Sequence, residues 1–198
     1  ASENEEMGTV AFNDGPVFAD LTAANGTTTN QFVPVYGYWA DAFNRCQLIY
    51  PASMLSDING AVINEMKFHS STASKTWGAA SFKVSIMEVP DETFATTAFA
   101  DVTSATQVYE GALSVVNNEM VVTFATPYTY NGGNLLIEVG QIDKGSYSSC
   151  YFYGVTTTGA SISGYNSSSY ASISPSQRNF LPKVTFTYEV PAGGESPI

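Results

Sequence analysis

Apolar residues in this chain recur at every second position, in short runs separated by turn residues, and that period restricts the fold more than any other feature. Phe82, Val84 and Ile86 alternate with Ser81, Lys83 and Ser85. Met120, Val122 and Phe124 alternate with Val121 and Thr123. Val184, Phe186, Tyr188 and Val190 alternate with Thr185, Thr187 and Glu189. Val62, Met66 and Phe68 share one face, opposite Glu65, Lys67 and His69. A strand whose successive side chains point to opposite faces sends one set to a core and the other to water, the habit of antiparallel sheets. Asn117-Asn118 divides two such runs and suits a two-residue hairpin that needs positive φ. Asn131-Gly132-Gly133 and Asp57-Ile58-Asn59-Gly60 punctuate others.

About ten strands are expected, near residues 9–13, 32–39, 46–51, 61–70, 81–89, 106–115, 119–126, 134–142, 149–156 and 182–190. Helix signals are confined to a turn at Pro51–Leu55 and another at Thr93–Phe99, both too short to stand alone. Ser161–Ser176 reads as a long surface loop, or a loop with one weak strand. The expected architecture is an all-β, two-sheet antiparallel sandwich, jelly-roll-like. With 198 residues, a single domain over residues 9–190 is expected, behind an acidic leader at 1–8 and ahead of a linker at 191–198. The opening Ala1-Ser2-Glu3-Asn4-Glu5-Glu6 has the acidic, polar character of a mature end left by export-signal cleavage, and the linker-like Pro191-Ala192-Gly193-Gly194-Glu195-Ser196-Pro197 leads us to expect a larger parent chain with neighbouring domains.

Charge narrows the partners. The formal net charge is -11, from 7 basic and 18 acidic residues. Phosphate recognition needs clustered Lys and Arg, so nucleic acid is an unsuitable partner, and so is an anionic lipid surface. No run of 18 apolar residues exists to span a bilayer. Only 13% of residues are charged, and Ser, Thr, Asn and Gly fill the deficit, as in extracellular sandwiches. Cys46 and Cys150 either pair, closing a loop of roughly 100 residues worth about 4–5 kcal/mol in the chain-entropy model, or are two buried free thiols.

Catalytic signals are scarce. His69 is the single histidine, lies on an alternating strand, and has no G-x-S-x-G partner in the sequence. His and Cys are too few for a zinc cluster. Asn13-Asp14-Gly15 with Asp20 is a faint calcium candidate whose alternative is turn structure. A glycosidase would need two carboxylates facing each other across a cleft about 5–10 Å wide. Glu65, Glu110, Glu119 and Glu138 are spread over separate strands, and the adjacent Asp91-Glu92 would point apart. The chain is therefore expected not to be an enzyme and to need no cofactor, with calcium as the one possible exception.

Aromatics are the strongest remaining signal, at 13% of residues with 12 Tyr, 12 Phe and 2 Trp. Sugars present apolar C–H faces ringed by hydroxyls, which rings stack on and Asp, Asn and Arg side chains bind. The candidate ligand-binding residues are Trp39, Asp41, Asn44, Arg45 and Trp77. Trp77, set among Ser, Thr and Lys, is the best exposed candidate; Tyr36, Tyr38, Tyr151 and Tyr153 read as fillers of sheet faces. Tyr147, Tyr151, Tyr153, Tyr165 and Tyr170 gather near the long C-terminal loop.

Three segments carry a resemblance: Val33-Pro34-Val35-Tyr36-Gly37-Tyr38-Trp39-Ala40-Asp41, Gln47-Leu48-Ile49-Tyr50-Pro51-Ala52, and Phe124 through Val139 with its Asn131-Gly132-Gly133 turn. Together with Arg178-Asn179-Phe180-Leu181-Pro182-Lys183, they resemble a β-sandwich module of secreted Bacteroides-type surface proteins, of the galactose-binding or cleaved-adhesin kind, over roughly residues 30–190. The resemblance implies a module of a larger surface protein or lipoprotein, secreted or anchored at the outer membrane, that serves adhesion or carbohydrate binding. It also implies scaffold roles for Gly132-Gly133, as a tight reversal before a buried strand, and for Pro127, where an edge strand leaves its sheet. It implies no catalytic residue. The alternative is a structural spacer or protein-interaction module without a small-ligand site.

Overall fold

A computed structural model describes residues 15–191. The expected strand at 9–13, the leader at 1–8 and most of the 191–198 linker lie outside the described residues. Among the described residues there are thirteen strands, every paired two of them antiparallel. They are β1 Phe18–Ala23, β2 Thr28–Asn30, β3 Phe43–Tyr50, β4 Val62–His69, β5 Ser81–Val89, β6 Thr106–Gly111, β7 Glu119–Thr129, β8 Asn134–Asp143, β9 Phe152–Thr156, β10 Ser161–Asn166, β11 Ser176–Gln177, β12 Phe180–Pro182 and β13 Val184–Glu189. A four-stranded sheet runs in the order β1-β13-β4-β7, a six-stranded sheet in the order β11-β10-β3-β8-β5-β6, and β12-β9-β2 form a third, small sheet. The fold is the expected all-β antiparallel sandwich. Among the described residues no helix is long and apolar enough to cross a membrane.

The period-two pattern explains the core. Phe82, Val84 and Ile86 of β5, Leu48 and Tyr50 of β3, and Leu135, Ile137 and Val139 of β8 face inward from the larger sheet. Met120, Val122 and Phe124 of β7, Met66 and Phe68 of β4, and Val184 and Phe186 of β13 meet them from the smaller one. At the start of β4 the phase slips. Thr187 pairs with Glu65 and Tyr188 with Ile63, leaving Asn64 as an extra residue. That bulge turns Ile63, rather than the expected Val62, into the core.

Turn chemistry holds where the sequence demanded special backbone. Asn117 and Asn118 both have positive φ, 51° and 64°, and Val116 and Glu119 exchange backbone hydrogen bonds of 2.9 and 3.1 Å across them. Gly132 has φ 92° at the entry to β8, and the Glu88 carboxylate accepts from the Gly133 N–H at 2.8 Å. Pro127 lies on β7, an edge strand, where a missing N–H costs no ladder bond.

Two expected elements are absent. Residues 32–39 form no strand: Val33, Pro34 and Val35 are buried in an irregular segment that ends in a 3-10 turn at Gly37–Trp39. Pro34 has no N–H to give a ladder. Thr93–Phe99 forms bends rather than helix, whereas the Pro51–Leu55 signal becomes a 3-10 turn at Ala52–Met54. Ser161–Ser176 is better ordered than a loop: its first six residues are β10, paired along β3 from Ser161↔Leu48 to Asn166↔Phe43. Cys46 and Cys150 are both buried free thiols, and burial pushes both up from the ordinary thiol range.

Candidate functional site

One end of the sandwich carries a connected group of aromatic rings, built from the segment that leads into the Gly37–Trp39 turn, the turn itself and the end of β10. Trp39 stacks on Tyr165 with centroids 4.3 Å apart and planes 12° from parallel. Tyr38 meets Trp39 edge-on at 5.7 Å, Tyr36 meets Tyr165 at 6.0 Å, and Phe32 meets Tyr36 at 4.8 Å. The Arg178 guanidinium lies 4.3 Å over the Phe32 ring, its Nε donating to Ser163 Oγ at 2.8 Å. Tyr38 is 52% exposed, Tyr165 38% and Tyr147 67%. Tyr38, Trp39, Asp41 and Tyr147 line an open hollow of about 200 Å³.

Buried amides hold this turn in place. Asn44 Nδ2 donates to the Trp39 carbonyl at 2.8 Å and to Gln141 Oε1 at 3.0 Å. Gln141 Nε2 in turn donates to the Ala40 carbonyl at 2.7 Å. Every partner is satisfied, so the pair fixes the backbone beneath Trp39 at little cost in desolvation. The opposite wall is clamped from below. Trp77 Nε1 donates to the Ser148 carbonyl at 2.9 Å, and the Ser148 N–H donates to the Gly37 carbonyl at 2.8 Å. Gly37 is required at that crossing: a Cβ there would run into the Ser148 carbonyl oxygen and come within 2.6 Å of Trp77 Nε1. Tyr147 is thereby held over the hollow through its clamped neighbour Ser148.

The five sequence-nominated residues separate into three groups. Trp39, half-buried, and Asp41, exposed, come together in the hollow. Asn44 is buried and its amide is committed to the turn, so it positions the site rather than lining it. Arg45, one residue further along β3, points to the other face of the sheet. There its Nε is 2.7 Å from Glu138 Oε2 and its guanidinium covers the Phe99 ring at 4.3 Å. Neighbours on a strand cannot share a site on one face. Trp77 contradicts its expected exposure: at 1% exposed it plugs the end of the core against Phe82. It is the largest apolar side chain in a polar connection, and burying it is worth more than the polarity of its neighbours suggests.

Tyr38 and Tyr151 also depart from expectation. Both are exposed rather than filling sheet faces, because neither lies in a strand. Tyr147 belongs to the tyrosine cluster near the C-terminal loop, but nothing in sequence spacing ties it to Trp39. Glu65 and Glu119 belong to the four-stranded sheet, and Glu110 and Glu138 to the six-stranded one. Of the calcium candidate, Asp20 Oδ1 accepts from Thr187 Oγ1 at 2.7 Å, while Asn13 and Asp14 lie outside the described residues. Among the described residues no group of three or more His, Cys, Asp or Glu side chains is arranged to hold a metal. A scan against protein-family models finds no match to this chain, and a search of curated proteins finds none either.

Proposed function

We propose that this chain is a non-catalytic carbohydrate-binding or adhesive module of a larger secreted protein, displayed at a bacterial cell surface. The observation that carries the reading is the hollow that Tyr38, Trp39 and Tyr147 line together with Asp41. Rings of this size exposed together cost hydration free energy unless something covers them. A pyranose face suits them, because its C–H groups stack on the rings while its hydroxyls donate to a carboxylate. The Trp39–Tyr165 stack and the Asn44–Gln141 clamp keep the platform rigid before a ligand arrives. The low charge content and the resemblance over residues 30–190 support assignment to the galactose-binding or cleaved-adhesin kind of Bacteroides-type module. The resemblance also supports an outer-membrane anchor, as in lipoproteins.

A glycan array with the whole chain, run with calcium and again with EDTA, tests the proposal. Specific binding is expected, with Tyr147→Ala and Trp39→Ala each weakening it about tenfold, the scale of one lost stacking partner. Loss of signal in EDTA would add an Asp-built calcium site. A blank array under both conditions would overturn the reading in favour of a spacer or protein-interaction module.

A further inference from the structure

The segment that carries Tyr147 has a second working side. Ser148, the next residue, lines a cleft of about 400 Å³ together with Ser74, Lys75, Thr76 and Ser114. Apart from two valines the wall is hydroxyl and ammonium, with one cation and no carboxylate. Lys75 is held there from both ends. Its backbone exchanges hydrogen bonds with Val115, at 2.9 and 2.8 Å, and its Nζ donates to Ser148 Oγ at 2.9 Å. An ammonium has three N–H donors, and Ser148 takes one of them.

In a chain of net charge -11 such a cation would ordinarily meet a carboxylate. Among the described residues the ion pairs are Arg45 with Glu138 and Lys67 with Glu65, and neither involves Lys75. A fixed ammonium in a cleft lined by hydroxyl side chains and by no carboxylate is matched to an oxyanion. The same cleft is unsuited to a polyphosphate backbone, which would need several cations in a row.

We propose that the Lys75 cleft is an anion subsite linked to the aromatic hollow through the consecutive residues Tyr147 and Ser148, so that the module takes acidic rather than neutral glycans. A sugar ring lies over Tyr147 and Trp39, while a carboxylate or sulfate on another unit of the same oligosaccharide accepts hydrogen bonds from Lys75 Nζ and the hydroxyls of Ser74, Thr76 and Ser114. The inference rests on the glycan reading and adds the ligand's charge to it. Tyr147 and Ser148, being consecutive, set the two subsites one residue apart on a single clamped segment.

The test titrates the whole chain with an oligogalacturonate, its neutral methyl ester and a sulfated oligosaccharide, tracking backbone amide shifts. The two acidic probes separate carboxylate from sulfate recognition. At least one is expected to bind about tenfold tighter than the ester, the scale of charge-assisted hydrogen bonds. Raising the salt from about 0.05 to about 0.5 M should erode only that preference. Lys75→Met should abolish the preference and leave ester binding unchanged, and Lys75→Arg should restore it. Equal affinity for all three probes, or a preference that survives Lys75→Met, overturns the anion subsite while leaving a glycan module standing. Binding of no probe, with the Lys75 and Ser148 amides unmoved in inorganic sulfate, overturns both.

Discussion

His69 shows how a single side chain ties this surface together. Its Nε2 lies 2.8 Å from Thr185 Oγ1, and that hydroxyl lies 2.8 Å from Thr22 Oγ1, so one polar row crosses β4, β13 and β1. Partial burial is the main reason its pKa sits below 6.5; Lys183 and Lys67 push the same way and Glu119 opposes them. The unfolded chain therefore takes up the proton first as pH falls, and folding stability drops below about pH 6.5 until the folded-state pKa is reached. As the only imidazole, His69 can be observed directly in an NMR pH titration. We expect a midpoint below that of a histidine in a short peptide; a midpoint at or above it would mean the ring is more solvated than the Thr185 contact implies. The same scale explains why only part of the site is legible in the sequence. Trp39 and Asp41 are legible because ring and carboxylate stand close in the chain. Asn44 and Arg45 look equivalent but face opposite sides of β3. Trp77 misleads because composition reports the polarity of a segment and not the direction in which one residue turns.

At the scale of elements, most strands with two or more full periods are readable and shorter ones are not; β1, six residues long, is an exception that no expected strand covers. β5, β7 and β13 obey the alternation of their residues, and the Asn117-Asn118 reversal comes from the positive φ that a tight hairpin demands. β2, β11 and β12 have three residues or fewer and leave no period to detect. β10 is obscured differently. Its Ser161, Ser163 and Gly164 are buried but small, so a strand covered on both faces resembles a surface loop in composition. The phase of β13 can be tested at Phe186, which is fully buried and meets the Tyr50 ring edge-on at 5.9 Å. Phe186→Ala should lower the free energy of unfolding by about 3–5 kcal/mol in denaturant titration. A loss well under about 1 kcal/mol would place the ring outside the core.

Across the whole molecule, the aromatic hollow sits on irregular backbone held by a rigid β frame, the usual division of labour between loops and sheets. β1 and β13 run antiparallel from Phe18↔Glu189 to Ala23↔Val184 along one edge of the four-stranded sheet. A force that draws Phe18 and Glu189 apart therefore loads the rungs of the ladder one at a time. The rungs would open in succession, each carrying the load alone, as a zipper parts. Single-molecule pulling from those two points should peel β1 away at low force before the sandwich gives way, whereas pulling from Phe18 and Val184, at opposite ends of the pair, should meet the ladder in shear. Under such a load the chain would yield first at this edge strand, and the Trp39 platform, built on the other sheet, would keep its shape while the span between the two pulling points lengthened.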